Sequence, residues 1–223
     1  VWLRRPPAGE AEAVSRHVVE EHGMRFHVDL EAGYSQGIFL DQRLNRNRVM
    51  QASRGRSVLN LFAYTCGFSV AVGLGGGIAT SLDLSQVYLD WGRRNFEANG
   101  LDPESHHWCR GDAFDWLRRF ARSGRRFGGV VLDPPTFSRS RQGKARRTFR
   151  VEDDFEHLVH LAVTVLEPGG FLLATTNCRR LSERGFRAMV EAGAGGAGEL
   201  LEMPPEFRGE PYLKSAWFCA EGR

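Results

Sequence analysis

From Ser57 to Gly195 the chain alternates strand-like and helix-like runs, and few folds accommodate that order. The runs are "SVLNLF" then "GFSVAVGLGG"; "IATSLDLS" then "QVYLDWGRRNFEANG"; "HHWCRGD" then "AFDWLRRFARSG"; "GGVVLDPP" then "VEDDFEHLVHLAVTVLEPGG"; "FLLATTN" then "ERGFRAMVEAG". Strands separated by helices predict a parallel sheet covered on both faces. "ELLEMP" and "YLKSAWFCAEG" follow as two closely spaced strands, an antiparallel edge pair, and "AGAGGAG" (Ala192–Gly198) reads as a loop after a helix. Upstream, Glu10–Glu21 reads as a helix stopped by Gly23, and "MRFHVDL" and "QGIFLD" as two strands of a hairpin around "EAGYS". Residues 1–52 thus form a helix and hairpin lead-in, and 53–223 the α/β domain.

At 223 residues with 42% hydrophobic content, the chain can bury one full core with a small appendage. Cys66, Cys109, Cys178 and Cys219 lie far apart with no CxxC pair, which argues against a zinc site or a disulfide framework and fits a reducing, cytoplasmic setting. No apolar run approaches the ~18 residues of a membrane span, and "VWLRRPPAGE" lacks the apolar core of a signal peptide.

In doubly wound sheets ligands lie across the carboxyl ends of the strands. After the first strand comes "NLFAYTCGFS", with Asn60, Phe62, Tyr64 and Gly67 where a nucleotide loop would be; its single glycine is not a GxGxxG. Asp83 ends the second strand 23 positions after Asn60, near the spacing at which a carboxylate takes both ribose hydroxyls, with Leu84 and Ser85 beside it. The alternative for Asp83 is a helix cap, for which Ser85 is the more natural residue. Gly111-Asp112-Ala113 ends the third strand, where a side chain can reach an adenine amine or simply cap the next helix.

The fourth strand runs into Asp133-Pro134-Pro135, followed by Thr136, Phe137 and Ser138. Six basic residues and no acid come next: Arg139, Arg141, Lys144, Arg146, Arg147 and Arg150. Prolines stiffen the turn without needing backbone donors, so a flat base can be held against it. A basic block beside such a turn suits a polyanion backbone, the alternative being a solvated loop. Net charge is only +3, so any nucleic-acid surface is local, and 28 of the 30 basic residues are arginine, which forks onto phosphates and stacks on bases.

"GIFLDQRLNR", "LNLFAYTCGFSVAV", "SLDLSQVYLDWGRRNFEANGL", "GDAFDWL" and "VVLDPPTFS" together resemble the bacterial large-subunit (23S) ribosomal RNA methyltransferases, over roughly Arg25–Phe218. The resemblance implies a Rossmann-like class I fold with a seven-stranded, mostly parallel sheet. It implies S-adenosyl-L-methionine (SAM) as cofactor and a base of RNA, guanine N7 or cytosine carbon 5, as target. Carried onto this chain, Asn60–Gly67 would hold the methionine moiety, Asp83 the ribose, Asp112 the adenine, and Asp133-Pro134-Pro135 with Asn177 the target base. Asp41, Gln42 and Arg43 would close over the cofactor, with Arg43 a partner for its carboxylate and a solvated helix face the alternative for Arg43 and Arg46. Family members usually carry a further RNA-binding domain upstream, where this sequence offers a helix and a hairpin.

Cytosine carbon 5 is a poor nucleophile, so its methylation needs a thiolate added to the ring first. Cys178 is the cysteine nearest a strand end here, but the family's cysteine position falls on Asn177. "TTNCRR" is more similar to the guanine-N7 branch. Asp-Pro-Pro with an aromatic also serves amino-group methylation of DNA or protein, although there the aromatic usually follows the prolines directly and here Thr136 intervenes. A cofactor-binding protein without catalysis is argued against by Asp83, Asp112 and Asp133.

Overall fold

The computed structural model describes residues 16–32, 35–142, 145–207, 209 and 212–220. It begins with a two-stranded antiparallel hairpin, β1 (Arg16–Glu21) and β2 (Met24–Asp29), rather than with a helix. His22 and Gly23 both have positive φ (50° and 78°), the conformation a two-residue hairpin turn demands, so Gly23 turns a strand instead of stopping a helix. The remainder of the expected helix, residues 10–15, lies outside the described residues. "QGIFLD" is not a strand. Its backbone is bonded by side chains: Gly37 N–H donates to Tyr64 Oη at 2.9 Å, and Thr65 Oγ1 donates to the Gly37 carbonyl. A segment whose polar groups are satisfied this way has no need of a ladder partner. It leads through a 3₁₀ turn (Leu40–Gln42) into α1 (Arg43–Ala52), a helix whose polar sequence gives little apolar periodicity.

The body of the fold follows the predicted alternation. In order come β3 (Ser57–Leu61), α2 (Gly67–Leu74), β4 (Ile78–Asp83), α3 (Gln86–Ala98), β5 (His107–Arg110), α4 (Ala113–Arg122) and β6 (Phe127–Leu132). The basic stretch then forms an antiparallel hairpin, β7 (Phe137–Gln142) and β8 (Ala145–Arg150), where a loop was the alternative. α5 (Val151–Val163), β9 (Leu166–Thr176), α6 (Glu183–Ala194), β10 (Glu199–Leu201) and β11 (Lys214–Cys219) complete the chain. α6 runs on to Ala194, into the expected loop, and ends where Gly195 takes a left-handed φ of 71°.

The seven-stranded sheet has the order β10-β11-β9-β6-β3-β4-β5, parallel except that β11 opposes both β9 and β10. This is the α/β, doubly wound class that the alternation predicts. Strand periodicity of two sorts the apolar runs onto two cores. Val130 and Leu132 of β6 and Leu172 of β9 join Phe114, Phe155 and Phe186 under α4, α5 and α6. Val131 and Leu173 face the other way, toward Val70, Leu89 and Phe96 of α2 and α3 and Phe26 of the first hairpin. The order reverses at β3, with β4 on one side and β6 on the other, so the β3, β4 and β6 exits converge on one crevice.

Candidate active site

A cavity of about 550 Å³ opens at that crevice. Its walls come from Ile38, Phe39, Asp41, Gln42, Phe62–Thr65, Asp83-Leu84, Tyr88, Asp133–Ser138, Asn177, Arg46 and Leu213. A small niche adjoins it, lined by Gly111, Asp112, Ala113, Phe62, Leu84, Ser138 and Phe149.

The β3–α2 loop is built on unusual backbone. Phe62, Tyr64 and Cys66 all have positive φ (57°, 49° and 63°), a conformation L side chains avoid unless the surroundings hold it. Cys66 is locked by being fully buried against Gly92 of α3, where any Cβ would run into its sulfur. Tyr64 is held by its hydroxyl, which donates to the Ser35 carbonyl at 3.0 Å, and by the edge of Tyr88 at 4.6 Å between centroids. Alternating φ sign turns the Tyr64 N–H onto Asp83 Oδ2 at 2.9 Å, while Ser85 N–H donates to Oδ1 at 2.8 Å. Burial raises the proton affinity of Asp83, and the backbone N–H groups of Ser85, Tyr64 and Leu84 oppose that. A carboxylate accepts about four hydrogen bonds, so acceptor capacity remains beyond these backbone contacts.

Asp133 follows β6 and lies beside Thr175 of β9, whose hydroxyl donates to its Oδ1. Burial pushes the Asp133 carboxyl up to about 6; Thr175 pulls it down and the neighbouring Asp41 carboxylate pushes it further up. Asp41, buried at 8% exposure, accepts from the Tyr212 phenol, which burial and that contact push up to about 12. Pro134 and Pro135 line the wall beside it, and Thr136 Oγ1 donates to Asn177 Oδ1 at 3.0 Å, which turns the Asn177 amide nitrogen free as a donor.

Of the residues the sequence points to, Phe62, Tyr64, Gly67, Asp83, Leu84, Asp133, Pro134, Pro135 and Asn177 line the cavity, and Gly111, Asp112 and Ala113 the niche. Three stand elsewhere. Asn60 is buried beneath the loop and donates to Ser69 Oγ at 2.9 Å. Ser85 caps α3, accepting from Tyr88 N–H, while Asp112 caps α4, accepting from Phe114 and Asp115 N–H, and still lines the niche. Arg43, expected to face a cofactor carboxylate, is paired with Glu206 instead. One turn on, Arg46 lines the cavity, 3% exposed and bidentate on Glu21 of the first hairpin at 2.7 and 2.6 Å. Arg43 and Arg46 share a face of one helix, so sequence spacing alone could not say which of them turns inward. Thr175 was also missed, because nothing in an apolar strand marks which residue will face a neighbouring carboxylate.

Cys178 is 1% exposed and packs in the core beneath α6; its carbonyl accepts from Lys214 Nζ at 3.1 Å, and it does not line the cavity. Among the described residues no group of three His, Cys, Asp or Glu could hold a metal, and no helix is long and apolar enough to cross a membrane.

A parallel sheet with a carboxylate on the second strand, a capped niche on the third and Asp-Pro-Pro on the fourth is the layout of a SAM-dependent methyltransferase. The family model described as S-adenosylmethionine-dependent methyltransferase matches residues 7–213, and the chain belongs to that family. Over 226 aligned residues it is 39% identical to the ribosomal RNA large subunit methyltransferase K/L of Methylococcus capsulatus, covering 96% of this chain and 30% of that one. It is 40% identical to the ribosomal RNA large subunit methyltransferase K of Neisseria meningitidis over 73% of this chain and 46% of that one. The chain thus spans less than half the length of these curated relatives. Among solved structures, SMU.776, described as a methyltransferase and solved with S-adenosylhomocysteine, superposes with a TM-score of 0.84 at 30% identity, covering 92% of this chain and 56% of that one. SAM is the cofactor of this family, and the arrangement here fits it: a carboxylate with spare acceptor capacity, an adjoining niche and a buried cation line one space.

Proposed function

We propose that this chain methylates a base of large-subunit ribosomal RNA, at guanine N7, as the catalytic part of a bacterial cytoplasmic enzyme. Residues 53–223 form the methyltransferase domain and the segment before them its covering lead-in. The observation that carries the reading is the single cavity joining Asp83 to Asp133-Pro134-Pro135 and Asn177. In it Asp83 takes the ribose, the Asp112 niche the adenine, and Arg46, rather than Arg43, the methionine carboxylate, as a buried guanidinium can.

SAM supplies a methyl group on a positively charged sulfur. Guanine N7 presents an in-plane lone pair, so positioning is most of what the protein must provide. N7 carries no hydrogen, so no side chain here would have to act as a base, and the residues of the cavity would serve to hold the guanine edge toward the methyl group. Ionised above about pH 6, Asp133 would accept from guanine N1–H and the exocyclic amine, while the Asn177 amide donates toward O6. Pro134 and Pro135 give the base a flat, donor-free wall.

Cytosine carbon 5 remains the second reading, and burial of Cys178 away from the cavity disfavours it, since an adduct-forming thiolate has to reach the ring. The basic arm of Arg139, Arg141, Lys144, Arg146 and Arg147 follows the catalytic turn directly and would run along the RNA backbone. Lys144 and the side chains of Arg141, Arg146 and Arg147 lie outside the described residues.

Incubating the protein with large-subunit RNA and labelled SAM, then digesting to nucleosides for mass spectrometry, tests the proposal. Label in 7-methylguanosine is expected. Label in 5-methylcytidine promotes the second reading, and label in DNA or protein but not RNA overturns both.

A further inference from the structure

The root of the β7–β8 hairpin has two faces with different chemistry. Strand alternation turns the cross-strand pair Ser138 and Phe149 inward, where both line the niche beside Asp112. Phe149 is 3% exposed and lies between the rings of Phe62 and Phe114, each 6.1 Å away between centroids. The other face carries Phe137, Arg139 and Arg150. Phe137 is 45% exposed, with the guanidinium carbons of Arg139 and Arg150 at 5.2 and 5.9 Å from its ring centre. Among the described residues no carboxylate forms an ion pair with either guanidinium.

An exposed phenylalanine between these two arginines is suited to one kind of ligand. A ring face and two guanidinium planes accept a nucleobase by stacking, and the two charges accept its phosphate. Among the described residues, moreover, only three aromatic side chains are exposed, Phe39, Tyr88 and Phe137, and all three line this cavity. Bases inside a duplex offer no free face, so these rings call for unpaired nucleotides.

We infer that Phe137, Arg139 and Arg150 form a subsite for the unpaired RNA nucleotide next to the target base, on the face of the hairpin opposite the one that closes the adenine niche. This rests on the RNA reading above and adds to it where the neighbouring nucleotide sits and that it must be single-stranded.

The test uses a short oligoribonucleotide with 2-aminopurine beside a guanine, free or annealed to its complement, together with SAM titrated by calorimetry. The wild-type protein should bind the single strand at least tenfold tighter than the duplex and quench its fluorescence. Phe137→Ala should lose about tenfold in affinity and most of the quench, Phe137→Trp should restore both, and SAM affinity should stay within twofold in each. Phe149→Ala should instead weaken SAM. Equal binding of the single strand by wild type and Phe137→Ala, or a preference for duplex, overturns the subsite while leaving RNA methylation standing. A matching loss of SAM affinity in Phe137→Ala overturns it by returning the ring to the cofactor wall. A wild-type protein that binds neither RNA would sink the RNA reading itself.

Discussion

Thr175 hands its hydroxyl hydrogen to Oδ1 of Asp133, and this contact ends a chain of buried side chains that begins on the lead-in. Asn45 donates to Ser215 at 2.9 Å and to Gln42 at 2.6 Å, and Gln42 donates to Thr175 at 3.1 Å. Apart from the branch to Ser215, the donors run from Asn45 through Gln42 and Thr175 toward the carboxylate, so the chain fixes its orientation and favours its charged form. A hydrogen bond to a charged group is worth ~1.5–3 kcal/mol, equivalent to one or two pH units. Activity that needs the Asp133 carboxylate should fall as the pH drops through about 6. In Thr175→Val the acid limb should move upward by about one unit; an unchanged pH–rate profile would show that Asp133 need not be ionised.

The same carboxylate has a measurable effect on folding. Its proton affinity is about 6 in the fold against 3.8 in the unfolded chain, so the native state binds the extra proton between those values. Its contribution is therefore favourable at low pH and lost as the pH rises through that window. The difference corresponds to roughly 3 kcal/mol at most, and less because the side chain is partly solvated. Asp133→Asn should raise the melting temperature at pH 8, with little gain at pH 4, while activity is lost. A melting temperature that drops at pH 8 would mean the charged form stabilises the fold.

Arg46 and Arg43 separate by experiment because one is buried and the other is not. Arg43→Ala breaks an exposed pair with Glu206 and should leave stability and SAM affinity indistinguishable from wild type. Arg46→Met strands Glu21 and should cost ~3 kcal/mol of stability, so it is best paired with Glu21→Gln. In that double variant SAM affinity should still fall at least tenfold, and unchanged affinity would remove Arg46 from the carboxylate subsite.

Much of this layout was legible because it rests on local signals. Asp83, Asp112 and Asp133 each end an apolar run, and a parallel sheet sends all such ends to one crevice. The lead-in was not legible, because its order comes from contacts far along the chain. The Tyr64 hydroxyl and Thr65 satisfy the backbone of residues 35–37, and Asn95 receives the His27 N–H at 2.8 Å, which no local pattern announces. The first hairpin was misread for the opposite reason, since His22-Gly23 is a strong turn signal only if both residues are taken as left-handed.

Asp83 offers the most direct check on the cofactor's place. Asp83→Ala removes both ribose acceptors and the anchor of the Tyr64 and Ser85 N–H groups, and should weaken SAM by ~1.5–3 kcal/mol in calorimetry. Full affinity in a folded variant would take Asp83 out of the site.

Cys178 decides between the two chemistries. Its side chain is packed in the core and its carbonyl is tied down by Lys214, itself bonded to the Tyr212 carbonyl at 3.0 Å, so bringing the sulfur to a base would mean unmaking the β9 exit. Direct transfer to N7 has no use for it. Cys178→Ser should therefore keep most of the activity, with a stability loss of ~1 kcal/mol for placing a hydroxyl in an apolar core. If the thiol were the nucleophile, the same change would cost several orders of magnitude in kcat. RNA carrying 5-fluorocytidine would then trap a covalent complex with the wild-type protein and none with Cys178→Ser, and observing that adduct would transfer the assignment to cytosine carbon 5.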